Sequence, residues 1–479
     1  MSKASRKYET DLARATTYTE WLHAAQALDR LDGKDQWRET ETSEDYDYRL
    51  IDSRTTVLRR LRRNKDYDQL VFRLREELHG NLGNMAHPVL YQQARSGTKR
   101  LINEYLDEVT AALNLLCDSD VQNLPPSRKR RFFNRAARSF GRSALLLSGG
   151  ASLGLFHIGV IEELMEQDLL PQVITGSSAG SVVGGFLATH TDEELKHALR
   201  PDEVKYHWIR VSGLADVMKG EGVLDHRQLN SSIRRNIKDM TFLEAYEKTG
   251  RILNISVSPA DPHQFPRLLN YLSSPNVLIR QAALASTAIP GLFPPVQLRA
   301  RNYNGKSVPY VPQSRWIDGS VHEDIPKEKV NRLHNVNHYI VSQINPHVLP
   351  FLKDEAEKTG LLPFLQEVVV KGPMVQVEHV LDLVHRHFDV PGLGSFIKKA
   401  HAIVAQNYSG DITIYPSRGE LNMSKVFSNV SAVGARQLIE AGRRSTWPRI
   451  ERIRNTTQIS RTFTDCLDRL AKRFHYVKR

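Results

Sequence analysis

The chain has 479 residues, 40% hydrophobic and 25% charged, a globular composition with room for two or three domains that excludes a disordered or fibrous protein. A formal net charge of +12 calls for an anionic partner, and two cysteines, Cys117 and Cys466, exclude a disulfide framework and point to a reducing compartment. The first ten residues hold no apolar core and no run of 18 apolar residues occurs, so the expected location is cytoplasmic and any membrane contact peripheral.

Residues 1–125 read as a helical domain. Tyr67 to Leu78 and Thr98 to Leu116 carry apolar residues at helical spacing, and Pro125-Pro126 marks a boundary. Arg59 to Arg63 form one basic cluster. A second, Ser127 to Arg142, mixes seven cations with Phe132, Phe133 and Phe140 and is taken as a basic linker over 126–142. Anionic lipid attracts such a segment by about 1 kcal/mol per cation, and phenylalanine inserts into the interface. A solvated linker face is the other reading. Nucleic acid would draw the same charge, but no helix-turn-helix, zinc or RNA-recognition signature accompanies it, so no nucleic-acid partner is expected.

From 143 to 347 strand and helix alternate, which predicts an α/β domain of three α/β/α layers around a mainly parallel sheet. The predicted strands are Ala144 to Leu147, Gln172 to Thr175, Arg251 to Val257, Trp316 to Ile317 and His338 to Gln343. The first enters S-G-G-A-S-L-G, Ser148 to Gly154, and leaves as an amphipathic helix, Leu155 to Gln167. A glycine-rich strand-to-helix turn bares N–H groups that bind negative charge. The loop lacks the Lys-Ser/Thr ending of a P-loop and does not follow G-x-G-x-x-G, so an oxyanion fits better than a phosphate.

The second strand runs into G-S-S-A-G, Gly176 to Gly180, followed by a small-residue helix, Ser181 to Thr189. This is the context of a nucleophile elbow, with Ser178 at the tip and Gly176 and Gly180 allowing the chain to close; the alternative is a plain Gly/Ser loop. Strand, helix and strand make one right-handed βαβ unit, so both turns emerge at the same carboxyl edge of the sheet. Asp318, in W-I-D-G-S, ends a further strand and is either a turn former or a base. His322, His334, His338 and His347 all follow it and could complete a Ser-Asp-His triad; no spacing singles one out.

The glycine loop, the elbow, A-S-T-A-I-P-G-L-F-P-P at Ala285 to Pro295 and D-G-S at Asp318 together resemble the four ordered blocks of the patatin-like phospholipase domain. The resemblance implies a Ser-Asp dyad without a catalytic histidine: Ser178 as nucleophile, Asp318 as base, and the N–H groups of Gly149, Gly150, Ala151 and Ser152 as oxyanion hole. Outside these blocks, T-E-W-L at Thr19, the Asn81 to Tyr91 stretch, G-T-K-R-L-I at Gly97, Asn335 to His347, G-D-I-T-I at Gly410 and T-W-P at Thr446 are similar to intracellular triacylglycerol lipases of the sugar-dependent type. Where many patatin-like members have a third glycine and a cation two places on, this chain has Ala151 and Leu153, which tilts the expectation toward neutral glycerides.

The implied activity is a triacylglycerol lipase working through an acyl-enzyme on Ser178. A phospholipase A or lysophospholipase on the same dyad, or a glycerolipid acyltransferase, is the alternative; His197 and Asp202 have an acyltransferase-like spacing that Pro201 interrupts. A carboxylate base needs a dry site, for which Leu153, Leu155, Phe156, Leu292 and Phe293 are suited. No metal-ligand spacing appears, and no cofactor is expected. Acylglycerol or phospholipid is the expected substrate, met at a membrane or lipid-droplet surface through basic residues. Residues 348–479 read as a mainly helical extension, with an amphipathic helix in Pro373 to Phe388, a turn at Pro391 to Phe396, a strand over Gly410 to Pro416 and a basic helical tail after Ser431.

Overall fold

The computed structural model describes residues 2–120, 124–199, 226–261, 264–346, 348–349, 408–417 and 430–477. Nine strands lie among them: β1 (Arg142–Leu147), β2 (Val173–Gly176), β3 (Ile252–Pro259), β4 (Arg267–Leu269), β5 (Arg299–Arg301), β6 (Ser307–Pro309), β7 (Trp316–Asp318), β8 (Val336–Ser342) and β9 (Ile412–Ile414). β9, β8, β1, β2 and β3 pair in that order and run parallel, while β4 and β7 pair antiparallel with β3. β5 and β6 form a separate hairpin.

The central strands are continuous apolar runs because both faces of the sheet are covered. Leu145 and Leu147 of β1 belong to one core, with Ile174, Leu253 and the helices Leu155–Glu166, Ala179–Thr189, Ile279–Ser286 and Ala432–Thr446. Ala144 and Leu146 face the other side, beside Val173, Ile252 and Val330 of the helix Lys327–His334. This is the expected α/β layering. Leu147 stands level with Gly176 on one side and Ser342 on the other, so the carboxyl ends of β1, β2 and β8 form one even edge.

The expected boundary at 347 does not separate the C-terminal part from these layers. β9 adds to β8, and the helix Ala432–Thr446 crosses Leu155–Glu166 so closely that a Cβ on Gly159 would overlap the Ile439 carbonyl and one on Gly442 the Phe156 carbonyl. The T-W-P segment locks the crossing, since the Trp447 indole donates to buried Glu163 at 2.8 Å.

The N-terminal helices Tyr48–Arg63, Tyr67–Glu76 and Arg100–Asp118 build a second core that is closed by the C-terminal helix Ile450–Val477, while Tyr18, Trp21 and Ala25 of the helix Tyr18–Leu31 belong to the first core. The stretch read as a basic linker belongs to the second core. Residues Pro126–Phe140 form a helix whose Phe132, Phe133 and Phe140 point inward, Phe133 and Phe140 lying 6.3 and 5.9 Å from Phe463 between ring centroids. Lys129 is buried too, donating to the carbonyls of Cys117 at 3.2 Å and Ser119 at 2.6 Å. The aromatic residues are therefore not available for insertion into lipid. Burial of large apolar area outweighs interfacial partitioning, and the cations Arg131, Arg135 and Arg138 are left on the outer face. No helix among the described residues is long and apolar enough to cross a membrane. The segments Pro373 to Phe388 and Pro391 to Phe396 lie outside the described residues, as does Asp202.

Candidate active site

The turn between β2 and the helix Ala179–Thr189 holds Ser178 at φ 48°, ψ −121°, a conformation that side-chain-bearing residues adopt only when the surroundings impose it. The imposing contacts are those of a nucleophile elbow. Gly176 and Gly180 are needed for close approach: a Cβ on Gly176 would overlap the Gly180 carbonyl, and one on Gly180 the Leu147 carbonyl. The Ser178 carbonyl accepts from Ser181 N–H at 3.0 Å and Ser181 Oγ at 2.6 Å, while the Ser178 N–H donates to Ser286 Oγ at 3.0 Å.

The glycine loop runs from β1 alongside this turn. A Cβ on Gly149 would lie 3.2 Å from Ser178 Cβ and 3.5 Å from Ser320 Cβ, so loop, elbow and the D-G-S turn meet at one point. Gly149 itself departs from expectation as an oxyanion donor, because its N–H is committed to Asp324 Oδ1 at 2.9 Å. Among the described residues, the N–H groups of Gly150 and Ala151 have no acceptor. Ser152 is buried in the following 3-10 turn. Ala151 sits at φ 48°, a left-handed conformation that costs an alanine about 1–2 kcal/mol.

Asp318 ends β7 and is fully buried. Its Oδ1 accepts from Ser320 N–H and Ser320 Oγ, both at 2.8 Å, and its N–H donates to the Ala288 carbonyl at 3.0 Å. Oδ2 is buried with no hydrogen bond, and the Ser178 side chain is among the groups that act on the carboxyl. Burial pushes this carboxyl up to about 7; the bonds from Ser320 and Ser178 pull it down, and the neighbouring charge of Asp324 adds to the rise.

All four sequence blocks thus converge. Ser286 and Ala288 of the A-S-T-A-I-P-G block hold the backbone of Ser178 and of Asp318 respectively, a link that no local pattern announces. The histidines are occupied elsewhere: His322 Nδ1 meets Ser258 Oγ at 2.9 Å, His334 Nε2 meets Asn254 Oδ1 at 2.8 Å, and His338 Nδ1 meets Ser143 Oγ at 3.0 Å, near the amino end of the strands. None is hydrogen-bonded to Ser178 or Asp318. His347 lies outside the described residues. Leu153, Leu155, Phe156 and Phe293 are buried, and Leu292 is half-buried.

The sequence was compared with protein-family models and with curated proteins. Residues 145–328 match the patatin-like phospholipase model, and residues 1–138 match a domain of unknown function, DUF3336. Triacylglycerol lipase ptl3 of Schizosaccharomyces pombe is 35% identical over 100% of both chains. The chain belongs to the patatin-like phospholipase family. Two further family relatives are Triacylglycerol lipase SDP1L of Arabidopsis thaliana and Triacylglycerol lipase 4 of Saccharomyces cerevisiae, each 36% identical, over 96% and 92% of this chain. The chain spans 58% and 50% of their lengths. The patatin-like match takes in the glycine loop, the elbow, the Ser286 block and Asp318, but ends before β8 and β9 complete the sheet.

Proposed function

We propose that the protein is a lipid acyl hydrolase, a triacylglycerol lipase that releases fatty acids from acylglycerols through an acyl-enzyme on Ser178. The observation that carries the reading is the facing pair of Ser178, strained at a strand-to-helix turn, and Asp318, buried with one oxygen uncommitted. Asp318 takes the proton of Ser178 Oγ as it attacks the ester carbonyl. The N–H groups of Gly150 and Ala151 stabilise the oxyanion, each donor contributing roughly a hundredfold to a thousandfold in rate. Asp318 then returns the proton to the departing glycerol oxygen. Water attacks the acyl-enzyme with the same base, releasing the fatty acid and restoring Ser178.

A carboxyl near 7 suits this task, because it is ionised often enough to act and basic enough to take a proton. That these relatives are named triacylglycerol lipases supports a glyceride substrate. The lipid surface would be met peripherally, through exposed cations such as Arg131, Arg135 and Arg138, with the phenylalanines of that helix remaining in the core.

The test is release of labelled fatty acid from emulsified triacylglycerol and, in parallel, from phosphatidylcholine and phosphatidylglycerol vesicles, by wild type and Ser178→Ala. Glyceride hydrolysis that disappears in the variant supports the proposal. Turnover of phospholipid alone would make the protein a phospholipase on the same pair, and undiminished hydrolysis by Ser178→Ala would overturn the nucleophile.

A further inference from the structure

Asp324 is a second buried carboxyl beside the site, 1% exposed, for which the dyad chemistry has no task. Its Oδ1 accepts from Gly149 N–H at 2.9 Å and from the Ser177 hydroxyl, and its Oδ2 accepts from Asn345 Nδ2 at 2.8 Å. Ser177 Oγ also reaches the Asp324 carbonyl at 3.2 Å. The three donors follow three neighbouring strands: Gly149 comes after β1, Ser177 after β2 and Asn345 after β8. One carboxyl therefore ties together the level edge on which the site stands.

We infer that Asp324 is a positioning residue for the reaction proposed above: it anchors the glycine loop through Gly149 and the elbow through Ser177, and so fixes the gap between Ser178 and the N–H groups of Gly150 and Ala151. The inference rests on the hydrolase reading. An oxyanion hole acts only if its donors stand within hydrogen-bond reach of the developing charge, and a misplacement of about 1 Å costs on the order of a hundredfold in rate. The start of the loop is fixed at Ser148, whose N–H donates to the Ser342 carbonyl at 3.1 Å, whose Oγ accepts from Ile344 N–H at 2.9 Å and whose carbonyl meets His157 Nε2 at 2.9 Å; at Gly149, the next residue, the backbone N–H goes to Asp324. A charged acceptor shared by loop and elbow ties the two to each other.

The bonds favour a carboxylate over an amide, because Gly149 N–H, Ser177 Oγ and Asn345 Nδ2 all donate. Its charge also acts on Asp318, making that carboxyl harder to ionise. Among the described residues, the titratable groups facing the two carboxyls are Tyr408, which feels the charge of Asp324, His322 on the D-G-S turn, and His157 behind the loop. His157 spans the Ser148 carbonyl and Ser342 Oγ, and burial holds it down to about 4, hence neutral. Burial is the main cause of the rise at Asp318 and the charge of Asp324 adds to it; burial raises the Asp324 carboxyl as well, while its bonds from Ser177, Gly149 and Asn345 lower it.

The experiment uses the full chain and a fluorophosphonate probe, read as the rate of covalent labelling at Ser178 between pH 5 and 9, for wild type, Asp324→Asn and Asp324→Ala. Asp324→Asn keeps an acceptor oxygen and loses the charge. Its labelling at pH 8 should stay within about threefold of wild type, with the acid midpoint lower by about one pH unit. Asp324→Ala removes the anchor and should label about 10- to 100-fold more slowly at every pH, with an unchanged circular dichroism spectrum. Labelling of Asp324→Ala at the wild-type rate, or an unmoved midpoint in Asp324→Asn, would overturn the positioning role. If Asp324→Ala does not fold, the midpoint of Asp324→Asn decides alone. Failure of wild type itself to label at Ser178 would instead overturn the hydrolase reading.

Discussion

The amide of Ser178 donates to the hydroxyl of Ser286, 3.0 Å away and 108 residues later in the chain. The strained turn is therefore held from outside as well as by its own glycines. Removing the acceptor in Ser286→Ala leaves a buried N–H unsatisfied, which costs about 1–3 kcal/mol. We expect a lower melting midpoint together with an approximately tenfold loss of esterase kcat at nearly constant KM. A variant with wild-type kcat would show that the glycines alone set the elbow.

Activity and stability should respond to pH in opposite directions around Asp318. In its proposed role as base it must be ionised, so kcat/KM should rise as pH increases through about 7. Its folded pKa is raised above the unfolded value, so the native state binds the extra proton between the two values. That contribution to stability is fully present below the unfolded pKa and is lost as pH climbs through about 7. Asp318→Asn should be inactive, yet its melting midpoint should fall less than that of wild type between about pH 4 and pH 7. Parallel stability profiles for the two proteins would contradict this assignment.

Ala151→Gly offers a gain. The left-handed backbone at this position favours glycine by about 1 kcal/mol, and the N–H proposed to bind the oxyanion is retained. The variant should melt one or two degrees higher with activity within about twofold. Ala151→Val, branched at Cβ, should lose both stability and activity, as followed by thermal unfolding and ester hydrolysis.

Phe133→Ala should destabilise the protein by about 3–5 kcal/mol, because the ring is fully buried between the helices Pro126–Phe140 and Ile450–Val477. Binding to phosphatidylglycerol vesicles, measured at a temperature where the variant is folded, should match wild type. Arg131→Glu combined with Arg135→Glu should behave in the opposite way, weakening vesicle binding with a small effect on melting. Loss of vesicle binding in folded Phe133→Ala would mean that the ring leaves the core to meet lipid.

The parallel strands were legible because each is a short apolar run closed by a turn, and β1, β2, β3, β7 and β8 lie within two residues of expectation. β4 and the β5–β6 hairpin are three-residue strands without alternation, too short for periodicity to register. In the Pro126–Phe140 helix the cations drew attention away from Phe132, Phe133, Ala136 and Phe140, whose spacing marks one buried helical face. Ser178 and Asp318 stood out because strand ends followed by glycine have few structural alternatives. Ser286 and Asp324 did not, since a serine in a small-residue helix and an aspartate before Ile-Pro acquire their partners only when distant strand ends come level. β9 was expected as a strand over Gly410 to Pro416, but its place beside β8 was not, because the partner of a strand so far along the chain leaves no local trace.

The crossing of Gly159 and Gly442 bears on how the protein is made. The helix behind the glycine loop docks against a helix that leaves the ribosome almost three hundred residues later. Until that late helix arrives, the apolar surface around Phe156 and Val160 lies bare and the loop has no firm backing. A nascent or prematurely terminated chain would carry both Ser178 and Asp318 and still lack the helix that gives the glycine loop this backing.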